Sequence, residues 1–512
     1  MSDIQVSKVS VTSIGGGLSD IGNKNCYLLE VRYTDGTKLG YLLDCGQSIP
    51  EWDEDVNQAG LDWNHVPNFS AIPNDVVIDA VVISHAHRDH DGGINKLVEF
   101  LVESGKKVPF FLMPRYAANM QQSREYRALT RKPNPFLDKR HTIASNFKFE
   151  IENDRIIVVD DETQEVFGHP SADRENSVVF SFFKVNHSVA DSLGVIVEVA
   201  GKKIIYSGDV RLHGANQGET FAFMKTLSSE ELQKVDLLML DATGADRNGE
   251  GKAEDVAIDS FLRIVDENQD RRIFATMFSS QPKLFEFLKT FGKKGLEREV
   301  VLHGGSMQDN MKWGHGHRPV FNENNKKDPL FSRKSKKDKK EVAPANWVRY
   351  PYGEYPVSEN AIIFLTGSQA EPLAALTRLL NPEYNQEMED IHIAPNDVVV
   401  FAARTIPGNE PQVATILKQL RGTGCTIYYP LDYDGKEPEW VRKAAGPNVI
   451  FKELHVSGHA PRDDLQQIIR MLNPKALMPI HASMEQRAMM TEIAGEIPVL
   501  LPNDLEEVTI LS

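Results

Sequence analysis

Apolar positions along the chain repeat with two different periods, and the switches between them mark the elements. Residues 77–83 form an unbroken apolar, β-branched run that predicts a buried strand. Beyond a polar gap, Ile94, Leu97, Val98, Leu101 and Val102 fall at i, i+3, i+4, i+7 and i+8, one face of a helix. Runs at 26–31 and 41–44 predict opening strands after the turn at Gly15-Gly16-Gly17. Runs at 178–185, 204–207, 237–240 and 476–480 predict further strands, and these lead to His187, Asp209, Asp241 and His481. Between residues 250 and 435, apolar runs at 273–278, 300–302, 362–365 and 398–401 alternate with helical patterns such as 371–380 and 410–420. That alternation predicts an α/β region with a parallel sheet and helices on its faces. Residues 48–75 read as a long loop and 115–175 as a polar excursion from the core.

The gap after the 77–83 strand is Ser84-His85-Ala86-His87-Arg88-Asp89-His90-Asp91-Gly92-Gly93. His85, His87, Asp89 and His90 are four potential metal ligands within six residues. On a helix His85 and His87 would point roughly 200° apart and share no ion. The segment is therefore expected to be a loop with its side chains folded inward; the plainer alternative is a polar surface turn. His187 and His481, taken singly, read as ordinary packed histidines, but beside this loop they join it as ligand candidates. His65, His141, His169, His213, His315, His317 and His392 lack such a context and read as structural. Asp44, at a strand end before Cys45 and Gly46, reads either as a partner behind a ligand or as a turn acid.

Hydrolysing a phosphodiester near neutral pH needs a strong nucleophile and relief of charge on the phosphate. Two cations about 3.5–4 Å apart supply both, held by roughly seven nitrogen and oxygen ligands with one bridging carboxylate. His85, His87, Asp89, His90, His187, Asp209 and His481 make up such a set. Mixed imidazole and carboxylate donors suit two zinc ions, with manganese as the alternative.

Composition narrows the class. The chain has 512 residues, 41% hydrophobic and 25% charged, and is long enough for two or three domains. No apolar run reaches the ~18 residues of a membrane span, and the N-terminus lacks a signal-peptide core. Three cysteines make no disulfide framework, so a cytoplasmic protein is expected. The net charge of −16 argues against a general polyanion-binding surface, so any nucleic-acid contact must be local. The basic residues at 326–340 read as a solvated loop or as an RNA-contacting one.

These residues carry a family resemblance. The loop His85 to His90, with His187 and with Asp209 after Tyr206-Ser207-Gly208, resembles the successive motifs of the metallo-β-lactamase fold, and Asp44 resembles its first acidic motif. Leu240-Asp241-Ala242-Thr243, Ser457-Gly458-His459 and Pro479-Ile480-His481 resemble the motifs of the β-CASP nucleases. Thr366-Gly367-Ser368-Gln369-Ala370-Glu371-Pro372, Ile406-Pro407-Gly408-Asn409-Glu410 and His455-Val456-Ser457-Gly458-His459-Ala460 look closely like ribonuclease J.

The resemblance implies an αββα metallo-β-lactamase sandwich (1–244), an inserted β-CASP α/β domain with a Rossmann-like parallel sheet (245–435) and a returning segment (436–512). It implies a zinc-dependent ribonuclease acting 5′ to 3′ on single-stranded RNA, preferring a 5′-monophosphate, with endonuclease activity as a second mode. Asp89 and Asp209 count as both ligands and catalytic carboxylates. His459, oriented by Asp241, contacts the scissile phosphate or protonates the leaving oxygen. Ser368 and His455, with His459, bind phosphate. Homodimerisation and other RNA-decay proteins are the implied partners.

Four departures stand out: Ala86 and Asp91 replace the family's usual Gly and Ile, Gly305 replaces an Arg, and Asp241-Ala242-Thr243 replaces a Ser- or Thr-containing version that keeps the acid. The sequence ends at Ser512, so the resemblance leads to the expectation of a short form lacking the family's usual C-terminal domain. Rival readings are a small-molecule metallohydrolase of the same fold and a non-catalytic RNA-binding scaffold.

Overall fold

The structure is a computed structural model that describes residues 4–15, 24–48, 65–121, 153–214, 217–227, 235–277, 298–304, 307, 348–349, 357–371, 374–381 and 391–512. The basic run 326–340, Gly305 and Pro372 lie outside these residues. The chain forms two compact units, one from Met1–Gly251 with Ser457–Ser512 and the other from Lys252–Val456.

The first unit holds two sheets. One runs, edge to edge, through Glu507–Leu511, Val6–Ser13, Tyr27–Tyr33, Lys38–Leu43, Val77–Val82, Phe110–Pro114 and Ile156–Val159. The other runs through Leu477–Ile480, Leu237–Asp241, Lys202–Tyr206, Leu193–Val199, Val178–Lys184 and Gln164–Phe167. Alternate residues of both sheets meet in one core that includes Leu29, Tyr41, Phe180, Val195, Ile204 and Met239. Tyr41 and Phe180 meet edge to face with ring centroids 5.4 Å apart. Burying each large apolar side chain stabilises the sandwich by about 1.5–3 kcal/mol.

Helices cover the outer faces. Ile94–Glu103 packs Leu97, Val98 and Leu101 against the first sheet, as its spacing predicts. Arg462–Leu472 and Met484–Ala494 cover the second through Leu465, Ile468, Ile469, Met490 and Ile493. The four layers are therefore helix, sheet, sheet, helix, as expected.

Strand direction positions the functional residues. Lys202–Tyr206, Leu237–Asp241 and Leu477–Ile480 are mutually parallel. Val178–Lys184 runs the same way, because it and Lys202–Tyr206 are each antiparallel to Leu193–Val199. Asp209, Asp241, His481 and His187 thus leave one end of the sheet together. In the first sheet, the parallel strands Lys38–Leu43 and Val77–Val82 deliver Asp44 and the histidine loop.

The second unit is a parallel sheet in the order Val348–Arg349, Val300–His303, Ile362–Leu365, Ile273–Thr276, Val398–Phe401, Thr426–Pro430, Val449–Lys452. Every pairing is parallel. Helix Glu254–Glu267 covers one face, while Ala375–Leu380, Glu410–Thr423 and Glu439–Ala445 cover the other. Ile273–Thr276, Val300–His303, Ile362–Leu365 and Val398–Phe401 are buried throughout, which is why they read as continuous apolar runs. The helix expected from Glu371 begins at Ala375. Residues before it bend instead, with Gly367 at φ +121° and Ala370 at φ +60°. Among the described residues no helix is long and apolar enough to cross a membrane.

One buried histidine makes this unit's stability depend on pH. His303 ends its strand with neither ring nitrogen hydrogen-bonded. Burial, with the Arg378 charge adding to it, lowers its pKa to about 4. A folded pKa below the unfolded value gives stability that is complete above about pH 6.5 and is lost as pH falls towards 4. In urea titrations of the full chain, His303→Gln is expected to lose about 3 kcal/mol less than the wild type across that window. Parallel losses in the two proteins would contradict this.

Candidate metal centre

The histidine loop is tied to the strand ends behind it. Cys45 and Gln47 donate their backbone N–H groups to the carbonyls of His90 and Arg88 at 2.8 and 2.7 Å. Gly46 lies so close to the loop that a Cβ there would sit 1.8 Å from the Asp89 carbonyl oxygen. Residues up to His87 are extended, but Arg88–Asp91 forms one helical turn rather than the irregular loop expected. Its hydrogen bonds start from the His87 carbonyl, which accepts from His90 and Asp91 N–H at 3.0 and 2.9 Å. His85 and His87 therefore precede the turn, while Asp89 and His90 sit on it, and all four side chains reach one place.

Three overlapping groups of donor atoms result: His85, His87, His187 and Asp209; Asp89, His90 and His481, which Asp209 Oδ1 also faces; and Asp209, Asp241, His459 and His481. In the first, His87 Nδ1 lies 3.1 Å from His85 Nε2 and 3.2 Å from His187 Nε2. Asp209 Oδ2 is 3.5 Å from His85 Nε2 and 3.4 Å from His187 Nε2. Donors placed tetrahedrally about an ion at 2.0–2.1 Å lie about 3.3 Å apart, the spacing found here. In the second cluster, Asp89 Oδ2 lies 3.0 Å from His481 Nε2 and 3.7 Å from His90 Nε2. Asp209 Oδ1 is 3.3 Å from His90 Nε2 and 3.8 Å from His481 Nε2. That oxygen is buried and accepts no hydrogen bond of good geometry. Inward-facing nitrogens, together with a buried oxygen left without a donor, suit a divalent cation.

Electrostatics agree. Burial holds the imidazoles of His85 and His187 neutral and lowers His87 to about 4, so their lone pairs are available near pH 7. Burial also disfavours charge on His481, but the Asp209 and Asp89 carboxylates outweigh it and hold the ring up at about 9. Burial opposes ionisation of Asp209 as well, yet His481 and His90 keep its carboxyl well below the usual range. Several carboxylates in a closed site call for positive charge, which a metal ion supplies.

A second layer of hydrogen bonds fixes four of the five rings, those of His85, His90, His187 and His481. His90 Nδ1 donates to Asp44 Oδ2 at 2.6 Å, and Asp44 also accepts from Tyr206 and from Ser84 N and Oγ. Asp44 is buried behind His90 rather than exposed in a turn. His85 Nδ1 lies 3.0 Å from Ser84 Oγ, and His187 Nδ1 donates to the Gly458 carbonyl at 2.7 Å. His481 Nδ1 is 2.7 Å from Thr243 Oγ1, which donates to Asp241 Oδ1 at 2.6 Å. These bonds select the tautomer that turns the other nitrogen inward. Asp44 at φ +58° and His481 at φ +54° hold strained backbone, a feature that collects at functional sites.

His459 places Nδ1 2.7 Å from Asp241 Oδ2 and Nε2 4.0 Å from Asp209 Oδ2. Burial would raise the Asp241 carboxyl, but His459 pulls it down, so it stays an acceptor. Ser368 and His455 belong to the Lys252–Val456 unit. Ser368 Oγ is buried without a hydrogen bond. Sequence reasoning quoted Ser84, Gly458 and Thr243 only within motifs and gave them no role; their closeness in sequence to His85, His459 and Asp241 was the available signal.

Comparison with known proteins gives three family matches along the chain. Residues 41–276 match a beta-lactamase superfamily domain, 352–420 the beta-CASP domain of ribonuclease J, and 449–496 a Zn-dependent metallo-hydrolase RNA specificity domain. Ribonuclease J of Mycoplasma pneumoniae is 26% identical over 94% of this chain and 69% of its own length. Ribonuclease J 1 of Streptococcus pyogenes is 23% identical over 97% of this chain and 72% of its own. A crystal structure of a protein of unknown function from Enterococcus faecalis covers 98% of this chain and 100% of its own, with a TM-score of 0.57 at 18% identity. That last likeness shows the fold.

Removing one hydrogen-bond acceptor behind the ligands tests the arrangement. Asp44→Asn is expected to weaken divalent-metal binding about 10–100-fold, because His90 loses the carboxylate that orients it. Calorimetric titration of metal-free protein with zinc reads this, and unchanged affinity would contradict it.

Proposed function

We propose that this chain, which belongs to the ribonuclease J family in the β-CASP branch of the metallo-β-lactamase fold, degrades single-stranded RNA from its 5′ end, favouring a 5′-monophosphate and cutting internally as a second mode. Metal-dependent ribonuclease activity is the family's; the direction of attack, the metal and the residue roles are our reading. The observation that carries it is the Asp209 carboxylate, which turns Oδ2 to one histidine cluster and Oδ1 to another.

In this reading His85, His87, His187 and Asp209 hold one zinc ion, and Asp89, His90, His481 and Asp209 hold the second, with manganese as the alternative. When bound, the pair acidifies a water and offsets charge on the phosphate. Asp209 would offer one oxygen to each position. His459 hydrogen-bonds the scissile phosphate or gives its Nε2 proton to the departing oxygen. Asp241 accepts from Nδ1, which fixes the ring and turns Nε2 towards the site. Asp89 adds a second inward carboxylate and fixes His481.

Ser368 and His455 are our assignments for the terminal phosphate. The Ser368 hydroxyl has no hydrogen-bond partner and follows the turn at Gly367, so it supports a role in donating to an anion. The cytoplasm is the expected place of action, with homodimerisation and contacts to other RNA-decay proteins as further expectations.

A 3′-labelled single-stranded RNA bearing a 5′-monophosphate, 5′-triphosphate or 5′-hydroxyl tests this, with zinc or manganese present and with its DNA counterpart alongside. Rapid shortening of the monophosphate RNA, abolished by His87→Ala, is expected. Ser368→Ala should erase the preference among 5′ ends while leaving cleavage intact. Internal cuts indifferent to the 5′ end would move the function to an endonuclease, and no metal-dependent cleavage would overturn the ribonuclease reading.

A further inference from the structure

The loop Ser457-Gly458-His459 serves two site residues at once. The Gly458 carbonyl accepts from His187 Nδ1 at 2.7 Å, and His459 meets Asp241 at 2.7 Å. A Cβ on Gly458 would lie 2.7 Å from His187 Cε1, so a larger residue would push the carbonyl off the ring. Whatever fixes this loop therefore fixes both histidines.

The fixing groups lie outside the ligand set. The Ser457 carbonyl oxygen accepts from Arg211 Nη1 at 2.8 Å and faces His213 Nε2 at 3.0 Å. His213 Nδ1 lies 3.0 Å from Asp464 Oδ2, so the carboxylate braces the ring from behind. Arg211 also donates through Nη2 to the His187 carbonyl at 3.3 Å and through Nε to Asn186 Oδ1 at 3.3 Å. The Ser457 hydroxyl oxygen accepts from His459 N–H at 3.1 Å and from the Arg247 guanidinium. Arg211, His213 and Asp464 are all buried, at 3%, 6% and 5% exposure. Two side-chain donors converging on one carbonyl, one of them a guanidinium, specify a backbone position more tightly than packing does.

We propose that Arg211 and the His213–Asp464 pair form a clamp on the Ser457 carbonyl that positions His187 for the metal and His459 for the substrate. Arg211 and His213 are then positioning residues, acting through loop 457–459. The role given to His459 rests on the nuclease reading above; the role given to His187 rests only on the cluster geometry.

The test uses the full chain as wild type, His213→Ala, His213→Gln, His459→Ala and the His213→Ala/His459→Ala double variant. Each is checked for folding by its melting temperature. Cobalt(II)-loaded proteins report the ligand field of His187 by visible absorption, and kcat and KM are measured on 5′-monophosphate RNA. His213→Ala is expected to shift the cobalt bands and lower kcat about tenfold or more. Its KM should move less than about twofold, the sign of an effect confined to the transition state. His213→Gln, whose amide N–H reaches towards the same carbonyl, should recover most of the loss. The double variant should lose much less than the product of the two single losses, because the clamp works partly through His459. A folded His213→Ala with unchanged cobalt bands and unchanged kcat would overturn the clamp, as would fully multiplicative losses. If the wild type cleaves no RNA, the nuclease reading fails, and the cobalt bands alone decide the clamp.

Discussion

The centre depends on one buried carboxylate shared between two sets of histidines. Asp209 is 2% exposed, and its oxygens point to separate clusters. A buried anion is costly unless positive charge meets it. Here that need is met by His90 and His481 or by metal, and the three imidazoles held neutral by burial favour metal on the other side. The surrounding architecture serves this arrangement. Parallel strands bring Asp209, Asp241 and His481 to one sheet end, and the other sheet brings Asp44 and the histidine loop.

Much of this could be read in the sequence, for a physical reason. Apolar strands that stop at a lone Asp or His mark sheet ends, and four potential ligands in six residues are hard to reconcile with a plain turn. The alternation after residue 250 predicted a parallel sheet because strands buried on both faces must be apolar throughout. The helical turn Arg88–Asp91 was not legible, since one histidine and three charged residues carry no helical stripe. The late start of the helix at Ala375 also escaped, because Ala374, extended at ψ 155°, is a residue type that gives no helix-start signal.

The supporting groups were the hardest to find. His213 has no ligand-like neighbour in sequence, and it meets Asp464 across 251 residues. Gly458 acts through a carbonyl, which any residue possesses, on a histidine 271 residues earlier. Thr243 joins His481 to Asp241 by its hydroxyl, and only the fold brings the first two together. Ligands announce themselves by residue type, whereas the groups that aim them do so by geometry.

A metal-loaded crystal, with anomalous scattering recorded on both sides of the zinc edge, addresses the shared carboxylate most directly. The account predicts two peaks about 3.5–4 Å apart with one Asp209 oxygen on each. A single peak, or two peaks that Asp209 does not join, would contradict it.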